Sequence, residues 1–293
     1  MSSRKYLIGG VAAVVAAALL VAGLTAWWHY SASERGKAAG MFDVALRYDT
    51  GNGMPQDHVQ AAELYRKAAE KGHVEAMFCL AVSYAKGEGV AQDWAESARW
   101  YRSAAGHGHA RAMYNLGVRY ADGRGVPQDH AESARWYRKA AGKGNPVAMC
   151  NLGVCYAKGF GVVQDQAEAV RWYRKAAEAG HAGGMCNLGS CYDNGDGVGQ
   201  DRVEAAKWYR AAAEEGMADA MYTLGVRYAK GEGVEQDDEE SYAWFSVASA
   251  FGSKEAPAHL EAAERILTPA KLEAAQKRSQ ILSEQILMNV GGE

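Results

Sequence analysis

Beyond residue 37 the apolar positions of this chain fall at helical spacing and form two alternating stripes. Met113, Leu116, Gly117 and Tyr120 stand at i, i+3, i+4 and i+7, the signature of a half-buried helix. Ala134, Trp136, Tyr137, Ala140 and Ala141 make a second apolar face a little further on. Gly123-Arg-Gly125 lies between them, and glycine accepts the left-handed conformation that ends a helix. Asp129 then opens the second helix and Glu132 follows three residues later, which is capping-box spacing with Asp in place of Ser or Thr. Gly144 stops it. The pattern predicts a helix–turn–helix unit.

The unit recurs. A Gly-x-Gly pair stands at 51/53, 87/89, 123/125, 159/161, 195/197 and 231/233, each step 36 residues long. Tyr48, Tyr84, Tyr120, Tyr156, Tyr192 and Tyr228 keep the same register, as does Gln-Asp at 56/57, 92/93, 128/129, 164/165, 200/201 and 236/237. Trp100, Trp136, Trp172, Trp208 and Trp244 share one slot, which Leu64 fills in the first unit. Six tandem units therefore cover 38–253. No single unit can bury both of its helices, so neighbours must stack and share a core. The Trp slot reads as core, with truncation of Trp172 expected to cost about 3–5 kcal/mol. The small residue beside the central Leu (Gly117, Gly153, Gly189, Gly225) reads as the place where helices approach closely. Residues 254–293 offer two further helices as a polar cap, with Thr268-Pro269 as an N-cap followed by proline at the first helical position.

The amino terminus lies outside this pattern. Leu7 to Trp28 carries no charge, and a helix of that length spans about 33 Å, close to the bilayer hydrocarbon. Arg4 and Lys5 precede it, and Trp27, Trp28 and Tyr30 close it like an interfacial belt. Residues 1–29 are read as a transmembrane signal-anchor and 30–37 as a linker, with the repeats across the membrane from the cytoplasm. Arg35 and Lys37 weaken the charge asymmetry, so the opposite topology stays open. A cleaved signal peptide, cut after Gly23 or Ser33, is the other alternative.

Composition changes the picture only by exclusion. A net charge of −3 over 293 residues gives no sign of nucleic-acid binding, and an apolar share of 48% excludes wholesale disorder. Gly-x-Gly lacks the third glycine and preceding strand of a dinucleotide fingerprint. The span Asp193–Glu204 has the length of a calcium loop but places Gly195 and Gly197 where side-chain oxygens are needed. His107 and His109 invite a metal reading, yet His73 and His181 share the slot of His109 after a turn glycine, which suits capping. His130 and Glu132 lack the cysteines of a deaminase. No catalytic set, no metal site and no cofactor site emerges. Cys150 and Cys155, repeated as Cys186 and Cys191, sit about 140° apart on a helix. They read as small packing residues, with a disulfide or a metal left open, and Cys79 has no partner on the lattice.

The string Met113-Tyr-Asn-Leu-Gly-Val-Arg-Tyr-Ala-Asp-Gly-Arg-Gly-Val, then Gln-Asp, then Ala134-Arg-Trp-Tyr-Arg-Lys-Ala-Ala resembles the Sel-one-like repeat, a branch of the tetratricopeptide-like helical solenoids. The resemblance covers about three-quarters of the chain. It implies an all-α, right-handed superhelical solenoid and a non-enzymatic adaptor that holds other proteins, often at bacterial envelopes. It also implies a concave face lined by the first helix of each unit. In motif register that face carries Phe42, Phe78, Tyr114, Cys150, Cys186 and Tyr222, with Val82, Val118, Val154 and Val226 one turn on. Asn115, Asn151 and Asn187 stand where related scaffolds hold a peptide backbone, and Arg47, Arg119 and Arg227 are candidates for acidic groups.

The expectation is a scaffold anchored in a bacterial inner membrane, with periplasmic repeats that take a protein or peptide on the concave face. A secreted form and a binder or enzyme of cell-wall fragments using the same face are the alternatives.

Overall fold

The structure, a computed structural model, describes residues 33–291. The expected anchor over 1–29 lies outside the described residues, among which no helix is long and apolar enough to cross a membrane. Fourteen helices and no strand are present among the described residues. The first helices of the six units are α1 (33–50), α3 (Val74–Lys86), α5 (Ala110–Asp122), α7 (Pro146–Lys158), α9 (Ala182–Asn194) and α11 (Ala218–Lys230). The second helices are α2 (His58–Glu70), α4 (Trp94–Gly106), α6 (His130–Ala141), α8 (Gln166–Glu178), α10 (Arg202–Glu214) and α12 (Asp238–Ala250). α13 (Ala256–Ile266) and α14 (Pro269–Gly291) follow, both packed on α12. The described residues divide into two compact units: one holds those up to Ala112 with Arg124–Pro127, the other Met113–Gly123 and those from Gln128 onward.

The turn between the two helices of a repeat explains the period residue by residue. The first glycine is the left-handed C-cap of the first helix, with φ of 76° at Gly87 and 74° at Gly159. The Gln-Asp pair then fastens the loop back onto that helix. Asp93 donates its backbone N–H to the Tyr84 carbonyl at 3.0 Å, and Gln92 Nε2 donates to the Ala85 carbonyl at 2.8 Å. The same pairs recur at Asp57, Asp129, Asp165 and Asp201 with their preceding glutamines. Each aspartate side chain also caps the second helix, as Asp93 Oδ1 does for Ala95 and Glu96 N–H.

Half of the expected capping box forms. The aspartate caps, but the Asp N–H already donates to the tyrosine carbonyl, so the glutamate has no donor to reach back to. Glu96, Glu132, Glu168 and Glu204 instead pair with Arg99, Arg135, Arg171 and Lys207 one turn on. In the last repeat Ala243 stands in that basic slot, and the neighbouring acids turn to the cap. Glu240 pairs with Arg278 of α14 at 2.5 Å and Glu239 with Lys271 at 3.4 Å. Thr268 opens α14 as expected, its carbonyl accepting from Leu272 N–H at 2.9 Å.

The second glycine carries the contact between repeats. A Cβ at Gly89 would sit 1.9 Å from the His58 carbonyl oxygen, and one at Gly161 2.0 Å from that of His130. Gly125, Gly197 and Gly233 meet the start of the preceding second helix in the same way. Gly53, in the first repeat, has nothing within 4 Å. The glycine beside the central Leu has a different neighbour: a Cβ at Gly153 would lie 2.6 Å from the Tyr173 ring of the following helix.

The Trp slot corrects the sequence reading. Trp100, Trp136, Trp172 and Trp208 are half-buried, and Trp244 alone is fully buried. Lys139 and Lys175 place their ammonium groups 3.9 and 4.2 Å from the Trp136 and Trp172 ring centres. The core belongs to the next residue: Tyr65, Tyr101, Tyr137, Tyr173 and Tyr209 are buried with the central Leu of each unit. An arginine ladder adds a second tie between repeats. Arg66, Arg138 and Arg174 donate to the hydroxyls of Tyr84, Tyr156 and Tyr192, one repeat further on, at 2.6–2.7 Å.

Candidate functional site

Adjacent first helices leave cavities between them, and Phe42, Phe78, Asn151 and Asn187 are among the residues that line these cavities. In the amino-terminal unit a cavity of about 390 Å³ is lined by Phe42, Leu46, Phe78, Cys79 and Val82, with Asp49, Glu75 and Glu88 among its polar lining. Phe42 and Phe78 are fixed by the caps of the next first helices. Phe42 stacks on His73 and Phe78 on His109, with ring centres 4.5 and 4.7 Å apart. Both imidazoles are N-caps, as their slot suggested: Nδ1 accepts from Ala76 and Ala112 N–H. His109 therefore carries its proton on Nε2, 2.9 Å from Glu75. Phe78 is 6% exposed, so it forms the wall of this cavity rather than a free anchor.

In the carboxy-terminal unit two cavities repeat one set of slots. The larger, about 330 Å³, is lined by Asp122, His130, Tyr137, Asn151, Val154, Cys155 and Phe160. The smaller, about 200 Å³, has Lys158, Gln166, Tyr173, Asn187, Ser190, Cys191 and Asp196 at the same positions. Asn151 lines the larger cavity, beside the hydroxyls of Tyr114 and Tyr137. Asn187 reaches back a repeat, its Nδ2 3.4 Å from Cys150 Sγ. Tyr114 is half-buried against the Tyr137 ring. Asn115 and Arg119 are half-buried on α5.

Two candidates are engaged otherwise. Tyr222 is half-buried and lies against the cap: its hydroxyl is 3.0 Å from His259 Nε2 of α13. Arg227 is 3% exposed and points inward, 2.5 Å from Asp193 and over the Tyr209 ring. It fills the slot that is open in the two preceding repeats, so the role expected for it toward acidic partner groups is withdrawn. The sequence did hold a signal for this, because Asp193 stands where those repeats carry Ala121 and Ala157.

The acids of the 193–204 loop are engaged, Asp193 with Arg227, Asp196 with Asn194 and Asp201 with the start of α10. None of the five cysteines is bridged. Burial pushes the thiols of Cys79, Cys155, Cys186 and Cys191 up to about 11 and that of Cys150 in the same direction. They are therefore protonated at neutral pH, without the thiolate that a nucleophilic cysteine needs. Among the described residues no three His, Cys, Asp or Glu converge as a metal site.

Helix pairs of fixed period, with caps and inter-repeat ties built from the same slots each time, define a tandem helical-repeat protein. The chain belongs to the Sel1 repeat family, whose model matches residues 38–73, 74–109, 110–145, 146–181, 182–217 and 218–250. Proteins of this family are generally scaffolds that bind other proteins. The structure is similar to that of c5321, a protective antigen present in uropathogenic Escherichia coli strains and displaying an SLR fold. The two share 34% identity with a TM-score of 0.76 over 88% of this chain. The match covers 56% of the antigen's chain. A Sel1 repeat protein from Oxalobacter formigenes is also similar, with 34% identity and a TM-score of 0.67 over 74% of this chain and 86% of that one. No curated protein matches the sequence.

Proposed function

We propose that this protein is a non-enzymatic scaffold that takes a protein or peptide partner on the face lined by its first helices. The observation that carries this reading is the set of cavities between adjacent first helices. The cavity of about 330 Å³ combines the Tyr137 and Phe160 rings and Val154 with the Asn151 amide, and that of the amino-terminal unit combines Phe42, Phe78, Leu46 and Val82 with charged side chains, mixtures suited to anchoring a peptide. The second helices, by contrast, tie their arginines to glutamates and tyrosines of the repeats themselves.

The same reading places the apolar run 7–28 in a bacterial inner membrane, as an uncleaved anchor, with the repeats in the periplasm. Its support is the length of the run and the basic residues before it. Intact mass and protease accessibility in vesicles of known orientation test this part. Full-length mass with repeats reached only from the periplasmic side is expected. A shortened, soluble chain would make it a secreted binder, and repeats open to the cytoplasm would reverse the topology. Partner capture from envelope extracts by the full chain tests the binding face. A folded Tyr114→Ala/Asn151→Ala variant is expected to lose capture, and unchanged capture would remove this face from the account.

A further inference from the structure

The cavity lined by Phe160 differs from its siblings at two slots. In the turn after the first helix, the residue between the two glycines is Asn52, Glu88, Arg124, Asp196 or Glu232 in five repeats, and Phe160 in the fourth. The residue just before that turn is lysine in three repeats, as Lys86, Lys158 and Lys230, but it is Asp122 in the third. The two departures come from different repeats, yet the fold brings both to the lining of one cavity of about 330 Å³. An apolar ring replaces a polar residue there, and an acid replaces a base. Neither change serves packing in an obvious way, since Phe160 is 50% exposed and Asp122 is exposed.

Phe160 is nonetheless held in place. Gly159 and Gly161 flank it with φ of 74° and 70°, and its own N–H donates to the Cys155 carbonyl at 2.9 Å. Its ring stacks on His130, centre to centre 5.5 Å at 23°. The Tyr137 ring lines the same space, with Val154 and Cys155 giving apolar surface and Asn151 an amide. Among the lining residues Asp122 is the one carboxylate, and no lysine or arginine accompanies it. Aromatic faces attract a cation, an acid at the cavity adds Coulomb attraction, and a methylene stem packs well against Val154.

We propose that this cavity is the specificity pocket of the binding face and takes a lysine or arginine side chain of the partner. The alkyl stem lies against Phe160 and Val154, the cation sits toward Asp122, and Asn151 is placed to bond the partner's backbone. This rests on the reading of the first-helix face as the binding face, and it adds the chemistry of the partner: a segment presenting a basic anchor.

The test uses isotope-labelled full-length protein in detergent micelles, titrated with acetylated and amidated Ala-Ala-Xaa-Ala-Ala peptides in which Xaa is Lys, Arg, norleucine or Glu. The Lys and Arg peptides are expected to shift the NMR signals of Asn151, Val154 and Phe160 and to bind about tenfold more tightly than the norleucine peptide. Phe160→Ala and Asp122→Lys are each expected to weaken the Lys peptide by about tenfold, with helical circular dichroism retained in both and the melting temperature unchanged in Asp122→Lys, whose side chain is exposed. Asp122→Lys installs the residue that three sibling repeats carry, so misfolding is not an escape. Equal binding of norleucine and lysine, no loss in either variant, or no peptide binding at all would overturn the proposal. Shifts confined to other first-helix residues such as Phe78 or Asn187, and insensitive to Phe160, would overturn this pocket and leave the binding face standing. Shifts confined to the second helices would overturn both.

Discussion

Replacing Gly89 by alanine, with Gly53→Ala as its partner experiment, isolates the energy that one repeat transmits to the next. Both glycines are left-handed, with φ of 72° and 78°, so the backbone cost of a Cβ is shared, about 1–2 kcal/mol. The surroundings differ. At Gly89 the new Cβ falls 1.9 Å from the His58 carbonyl oxygen and 2.9 Å from Val59 N, all rigid backbone at the start of α2. At Gly53 it meets nothing within 4 Å. To accommodate the methyl, the loop after α3 must move off α2 by more than an ångström. Overpacking of that kind costs typically about 1–3 kcal/mol, so Gly89→Ala is expected to lose about 2–5 kcal/mol in all and Gly53→Ala only about 1–2. Urea unfolding of the full chain, followed by circular dichroism, measures both. Equal losses within about 0.5 kcal/mol would refute the argument that the second glycine exists for the contact between repeats.

Three further outcomes follow from the same geometry. Tyr173→Ala is expected to destabilise by about 3–5 kcal/mol and Trp172→Ala by clearly less, since the tyrosine is buried and the tryptophan half-buried; denaturant midpoints of the two variants decide it. Asp193→Ala strands the buried Arg227 guanidinium and should cost about 3–5 kcal/mol, whereas Asp193→Ala combined with Arg227→Met should recover much of the loss in the same unfolding assay. The capping imidazoles of His73 and His181 have their pKa lowered from 6.5, by desolvation first. As pH falls below 6.5 the unfolded chain takes up these protons before the folded one does. Their contribution is therefore fully present above 6.5 and lost as pH falls through the folded values. His73→Asn/His181→Asn keeps a side-chain acceptor in the slot, as Asn145 does in its repeat, and is expected to flatten the loss of stability between pH 7.5 and pH 5.5.

Much of this fold was legible because each repeat performs the same physical task with the same residue. Gly87 and its equivalents must be left-handed, Asp93 and its equivalents must cap, and those demands are local, so periodicity exposes them. Contacts that depend on a neighbour were harder to read. Trp172 and Tyr173 are adjacent apolar residues, and their order of burial follows from where α7 and α9 pack on α8, not from spacing. Glu96 sat at capping-box distance, but the donor it would have met was already engaged by the Tyr84 carbonyl. Arg227 looked like an outward cation until Asp193, one repeat earlier, drew it inside. Phe160 and Asp122 carried a visible signal of another kind, as residues foreign to their slots, but their convergence on one cavity needed the fold.

The central claim is that a partner engages the first-helix face. A photo-reactive amino acid placed at Leu46 or Val154, which line the two cavities, and at Lys207 on a second helix tests it in living cells. The account predicts cross-links to a protein partner from Leu46 and Val154 and none from Lys207. Cross-links from Lys207 alone, with both cavity positions silent, would contradict it.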